Sequence, residues 1–214
     1  MDGIELETGK NPQAAVIWLH GLGADGHDFE PIVPELELAQ PVRFIFPHAP
    51  VRPVTINSGM RMRAWYDILQ LGGGPEDEAG LRASQKIVEG LIAREKERGI
   101  AAGKIVLAGF SQGGAIVLQT GLRHPERLGG IVALSTYLPL ARAVEAERSA
   151  ENRDLPIFMA HGLYDDLIPV DRAEASRRLL EALGYRIEWH DYPMPHSVCA
   201  PEIADIAAFL TRVL

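Results

Sequence analysis

The stretch "KIVLAGFSQGGAIVLQTGLRH", residues 104–124, places a lone hydroxyl, Ser111, between an apolar run rich in β-formers and a segment able to continue as a helix. Gly109 and Gly113 stand two residues away on either side. A strand that turns directly into a helix needs a sharp bend, and small neighbours keep the residue at its tip from clashing with both elements. The tip side chain is thrown clear of the backbone at the carboxyl edge of a sheet. The next amide, Gln112, points to the helix N-terminus, where positive partial charge can meet a developing oxyanion. The stretch has the form and context of a G-x-S-x-G nucleophile elbow.

Working outward, similar apolar runs recur at 14–20, 42–46, 130–135, 155–162 and 185–192. Most are continuous rather than alternating, as strands covered on both faces read. Helical patterns lie between them, at 76–98, 112–123, 171–183 and 201–213, with Gly99 as a stop signal and Pro201 near a first turn. Strands alternating with helices predict an α/β fold: a mainly parallel sheet with helices on both faces and pockets at the carboxyl ends of the strands. No linker, repeat or low-complexity tract divides the chain, so 1–214 reads as one domain. The stretches 47–74 and 136–154 remain irregular. The first is long for a connection and has the length of a functional loop, and the second is too short for a large cap.

The 214 residues, 47% of them hydrophobic, suit one domain with a full core. A net charge of −8 argues against nucleic acid or an anionic membrane surface as partner. No run is long enough for stable membrane insertion, and the N-terminus lacks a secretion pattern. The single cysteine, Cys199, excludes an internal disulfide. These features lead us to expect a soluble, cytoplasmic protein. No metal-ligand spacing is present, and no cofactor is expected.

A serine needs a base to take its proton and an acid to orient that base. In this topology the chain order runs nucleophile, acid, base. Of seven histidines, only His190 and His196 lie late enough, and the loop position of His196 favours it. The acid belongs after the strand at 155–162, where Asp165 and Asp166 qualify equally by spacing and Asp171 less well. A second oxyanion amide fits the small-residue turn "HGLG", 20–23, at Leu22. Cys199, three residues after His196, reads as a small packing residue.

The segments "WLHGLGADGHDF", "FPHAPVRPVTINSGMRMRAWYDI", "LAGFSQGGA", "HGLYDDLIP" and "MPHSVC" occur in this order over nearly the whole chain. Together they resemble the phospholipase/carboxylesterase group of α/β-hydrolases, which includes acyl-protein thioesterases, and most closely its bacterial carboxylesterases. The resemblance implies an α/β-hydrolase fold without a large cap domain. It implies Ser111 as nucleophile, His196 as base and Asp165, the fifth residue of "HGLYD", as acid, with Leu22 and Gln112 as oxyanion donors. It places the "AWYDI" loop beside the acyl site, with Trp65, Tyr66, Leu69, Tyr137 and Leu163 as substrate-binding candidates. Related thioesterases tend to carry tryptophan in an "LSCWLPL"-like segment, where this chain has Tyr137 in "LSTYLPL".

The activity expected is that of a serine carboxylesterase on short to medium acyl esters, its substrate a small-molecule or lipid ester. Acyl-protein thioesterase or lysophospholipase activity on longer chains is the alternative. A serine peptidase of this fold usually adds a gating domain, for which there is no room. A catalytically silent binding protein is opposed by the intact serine, aspartate and histidine. A homodimer is compatible with the resemblance.

Overall fold

The strand that leads to Ser111, Ile105–Phe110, is the middle of a seven-stranded sheet. In the computed structural model, which describes residues 2–70 and 74–214, the strands are β1 (Gly3–Glu7), β2 (Ala14–Leu19), β3 (Val42–Pro47), β6 (Ile105–Phe110), β7 (Gly130–Leu134), β8 (Ile157–Gly162) and β9 (Ile187–Tyr192). Their spatial order is β1-β3-β2-β6-β7-β8-β9. All neighbours are parallel except the edge pair β1 and β3. The missing two labels belong to a separate hairpin, β4 (Val51–Val54) with β5 (Met60–Arg63).

Every residue of β2, β3, β7 and β8 is buried. Alternate residues feed two cores, as a period-two strand between two helical layers must. Ala15, Ile17 and Leu19 join one core with α1 (Glu78–Glu97), α2 (Gln112–Gly121) and α4 (Val170–Ala182). Ala14, Val16 and Trp18 join the other with α5 (Ala200–Val213) and the turn at Glu30–Leu36. A short α3, Val144–Glu147, lies inside the 136–154 stretch. The arrangement is the expected α/β-hydrolase architecture, with no large cap.

The 47–74 stretch departs from a plain loop, because much of it is the β4–β5 hairpin. Leu71, Gly72 and Gly73, near its end, lie outside the described residues. Two ionic clusters fasten the periphery. Buried Glu95 on α1 meets Arg43 of β3 and Arg98, at 2.8 and 2.9 Å. Glu147 of α3 meets Arg82 and Arg123, whose hydrogen bonds hold its carboxyl at about 2. Among the described residues, no helix is long and apolar enough to cross a membrane.

Candidate active site

Ser111 sits between β6 and α2 with φ 54° and ψ −117°, a strained conformation for a residue with a Cβ. Its backbone is held on both sides. The amide donates to the Leu134 carbonyl at 2.8 Å, and its carbonyl accepts from the Ala115 amide at 3.1 Å and from Thr136 Oγ1 at 2.7 Å. The glycines are required by contact distance. A Cβ on Gly113 would lie 2.3 Å from the Leu19 carbonyl oxygen, and one on Gly109 would lie 2.5 Å from the Gly113 backbone. All ten residues of α2 are buried, so the elbow is fixed by the centre of the molecule.

The loop after β8 carries the acid and the loop after β9 the histidine. Asp165 Oδ2 accepts a hydrogen bond from His196 Nδ1 at 2.6 Å. Its Oδ1 accepts the amides of Leu167 and Ile168 at 3.0 and 2.8 Å. His161, fully buried, stands beside it: its Nε2 donates to the Ile168 carbonyl at 2.7 Å and lies 3.3 Å from Asp165 Oδ2. Burial lowers the His161 pKa, so its ring is the neutral Nε2–H form that this geometry needs. Asp165 is thus buried and accepts three hydrogen bonds, while Asp166 is exposed. The ring of His196 rests on Phe110 at 4.7 Å between centroids. With Nδ1 committed to Asp165, its Nε2 is left for proton transfer. A Ser111 Oγ–His196 hydrogen bond is not among those made by the described residues. Such bonds often tighten only when substrate binds. His190, the other late histidine, lies on β9 with Glu188 and Asp205, away from this cavity.

Ser111 and His196 line a cavity of about 500 Å³ together with Leu22 and Gln112. The Gln112 amide is the first of α2 and has no partner inside the helix. The Leu22 amide is oriented from behind. His20 Nδ1 donates to the Gly21 carbonyl at 2.7 Å, and its Nε2 accepts the Ala49 amide at 3.0 Å. Burial lowers the His20 pKa, which keeps this neutral tautomer. In a trans peptide the carbonyl and the next N–H point in opposite directions. Anchoring the Gly21 carbonyl to His20 therefore turns the Leu22 N–H the other way. The arrangement can deliver a hydroxyl nucleophile, a neutral imidazole and two backbone donors to one carbonyl.

The expected substrate-binding residues divide. Tyr66 and Tyr137 line the cavity, their hydroxyls 2.9 Å apart. Trp65 does not line it. It is fully buried beneath the site, its indole N–H donating to the His20 carbonyl at 2.9 Å and its amide to Gln112 Oε1 at 2.7 Å. Gln112 Nε2 in turn donates to the Tyr66 carbonyl at 2.7 Å, so this side chain clamps the 65–66 segment while its amide faces the cavity. Leu69 and Leu163 are correspondingly displaced, 39% and 45% exposed and outside the cavity wall. Ile68, on the wall as well, belongs to the "AWYDI" loop expected there, and the lining residues that sequence reasoning missed include Asp28, Ile56 and Asn57 on one side and Leu167, Ile168 and Arg172 on another. Leu167 and Ile168 follow closely on Asp165 at a strand's carboxyl end, a position that could have marked them, whereas Arg172 lies further on, in α4. A second depression, about 540 Å³, lies between the β4–β5 hairpin and α1 and holds none of the candidate residues.

The sequence profile described as Phospholipase/Carboxylesterase matches residues 4–214. The chain belongs to this family. Among its relatives, acyl-protein thioesterase 1 of Gibberella zeae is 42% identical, covering 94% of this chain and 91% of that protein. Acyl-protein thioesterase 1 of Neurospora crassa is 43% identical, covering 94% and 87%. The crystal structure of SOBER1 from Arabidopsis thaliana superposes with a TM-score of 0.88 at 31% identity, covering 93% of this chain and 98% of that one. That of Zea mays acyl-protein thioesterase 2 gives 0.85 at 27%, covering 99% of both. The expected special likeness to bacterial carboxylesterases is unsupported, since these curated relatives are fungal acyl-protein thioesterases. As a phospholipase/carboxylesterase family member the chain is a hydrolase.

Behind the histidine loop, this hydrolase carries a buried acid. Glu202 on the first turn of α5 is fully buried, and its Oε2 accepts the Cys199 amide at 3.4 Å. Among the described residues its Oε1 has no hydrogen-bond partner. Burial pushes the Glu202 carboxyl up to about 8, the Cys199 amide works against this, and Asp205 adds to it. The folded state therefore holds a proton that the unfolded chain releases near its ordinary value, and stability falls as pH rises from about 4.5 to about 8. Glu202→Gln keeps an acceptor without the charge. Thermal unfolding should show it more stable than wild type near pH 8, by on the order of a few kcal/mol, with the difference fading toward about pH 5. Parallel pH slopes for the two proteins would exclude this assignment. Cys199 is the N-cap residue of α5, half-buried against the second core, in keeping with a packing role.

Proposed function

We propose that this chain is a serine hydrolase of the acyl-protein thioesterase type, cleaving acyl thioesters and the corresponding esters. The observation that carries the reading is the 2.6 Å Asp165–His196 pair, whose imidazole lines the same cavity as Ser111 at its strained elbow. Ser111 Oγ bonds to the acyl carbon as its proton passes to His196 Nε2. The imidazolium formed is stabilised by Asp165, and the oxyanion is received by the amides of Leu22 and Gln112. Collapse breaks the carbon–sulfur or carbon–oxygen bond, and His196 returns its proton to the leaving group. Water then attacks the acyl-enzyme, giving a proton to His196; the bond between the acyl carbon and Ser111 Oγ breaks, His196 returns the proton to Oγ, and the carboxylic acid departs.

The name shared by the fungal relatives supports thioester cleavage over the short-acyl carboxylesterase first expected. A cavity of about 500 Å³ is within the usual range for small-molecule sites. The test is kcat/KM on matched thiol and oxygen esters of increasing acyl length, together with release of fatty acid from an S-acylated peptide. We expect thioesters to be cleaved and kcat/KM to rise about fourfold per methylene until the cavity is filled. Hydrolysis confined to short oxygen esters, with the S-acylated peptide left intact, would return the assignment to a carboxylesterase.

A further inference from the structure

Arg172 stands in the first turn of α4 and on the wall of the Ser111 cavity. A cation at that end of a helix is disfavoured by the helix dipole. α4 has no side-chain cap, and the acidic residue of its first turn is Asp171, beside Arg172 in the chain. Among the described residues no carboxylate lies within ion-pair distance of the guanidinium. It is stacked instead on Tyr137, its central carbon 3.3 Å from the ring centroid. Stacking occupies the flat face of a guanidinium and leaves its in-plane N–H donors available.

The neighbouring groups do not neutralise it. Tyr66 and Tyr137 bond to each other through their hydroxyls, and burial holds the Tyr66 pKa well above its ordinary value, so it supplies no phenolate. Glu76, Asp67 and Asp77 border a small crevice that adjoins the cavity at Tyr66, Tyr137 and Arg172. Glu76 accepts the Leu140 amide, Asp67 the amide and hydroxyl of Thr55, and Asp77 the amides of Asp67 and Gly80. Asp28 lines the same large cavity from the 20–28 loop and is no ion-pair partner of Arg172. A fixed cation with free donors therefore faces the cavity in which the acyl group is cleaved, against a local helix preference. Positions that break a local rule in a site of this kind mark a functional demand.

We propose that Arg172 makes this cleft selective for substrates carrying an oxyanion, a carboxylate or phosphate, on the acyl group, which its guanidinium receives while Ser111 attacks the ester. The inference rests on the serine-hydrolase reading and adds the substrate class to it. Tyr137 holds the guanidinium flat so that its edge is presented to the anion in paired hydrogen bonds.

The test uses p-nitrophenyl half-esters of straight-chain dicarboxylic acids of increasing length, each beside its methyl-capped neutral isostere, and an ω-phosphate analogue. At the matching length, wild type should prefer the carboxylate or the phosphate over the capped ester by about tenfold or more in kcat/KM. The phosphate arm decides which of the two anions is the better fit. Arg172→Gln should erase that ratio, Arg172→Lys should keep part of it, and added salt should reduce it in wild type. Calorimetric binding of the same pairs to Ser111→Ala reads the preference without turnover. Equal use and equal binding of charged and capped esters at every length, with Arg172→Gln affecting both alike, would overturn the proposal and leave Arg172 as a brace for Tyr137. Failure of the serine-hydrolase reading looks different: Ser111→Ala would then still hydrolyse the neutral esters, whatever their ratio to the charged ones.

Discussion

Ser111→Ala is expected to lose on the order of 10⁶ in kcat while keeping its fold, because removal of a triad nucleophile takes covalent catalysis with it and leaves only the oxyanion donors and binding. The structural contacts of Ser111 run through its backbone, to Leu134, Ala115 and Thr136. Alanine can make all of them. A fluorophosphonate probe should label wild type and not the variant. The strain at φ 54° offers a second readout. Glycine adopts this region without the Cβ penalty, so Ser111→Gly should be as inactive as Ser111→Ala and yet unfold at a higher temperature. A gain of about 1 kcal/mol corresponds to roughly 2–4 °C for a chain of this size. An alanine variant with a tenth of wild-type activity would remove Ser111 from the nucleophile's place. A glycine variant that melts no higher would show that the elbow is relaxed.

The elbow was legible because its geometry needs particular residues: Gly109 and Gly113 are the positions where a Cβ would meet backbone. The parallel strands were legible because burial on both faces leaves continuous apolar runs. β1 and the β4–β5 hairpin were not, for the same reason inverted. β1 alternates exposed with half-buried residues over five positions, and each hairpin strand has four residues, with Pro53 inside one of them. Short, half-solvated strands carry little periodic signal. Trp65 shows a different limit. An aromatic residue in the loop beside a site reads as a substrate contact, but its indole and amide hydrogens both needed acceptors, and His20 and Gln112 supply them underneath the site. Nothing in "AWYDI" tells which side of the loop faces inward. His161 was passed over because a histidine at a strand end has no local mark of the aspartate it meets in space. Arg172 was passed over because a charge in the first turn of an amphipathic helix ordinarily faces water.

The adjacent pair Asp165 and Asp166 could not be separated by spacing, and the structure now gives each a different environment. Asp165 Oδ2 receives His196 Nδ1–H and faces His161 Nε2–H, while Oδ1 receives two loop amides. In Asp165→Asn only one oxygen remains. If it keeps the amides of Leu167 and Ile168, the new NH₂ faces His196 Nδ1 and forces that nitrogen to accept. The imidazole proton then sits on Nε2, where the serine proton has to go, and the base is blocked by its tautomer. The same NH₂ confronts His161 Nε2–H, which is already committed to the Ile168 carbonyl. Some loss of stability in the loop should therefore accompany the loss of rate. The corresponding change in a serine-protease triad costs about 10⁴ in kcat, and a loss of that kind is expected here. Asp166 is exposed, so Asp166→Asn removes only a screened charge and should cost less than about tenfold. Both variants belong in one assay on a single activated thioester, with thermal unfolding by circular dichroism beside it. If Asp166→Asn were the crippled enzyme and Asp165→Asn turned over normally, the 2.6 Å contact with His196 would not be the one that orients the base.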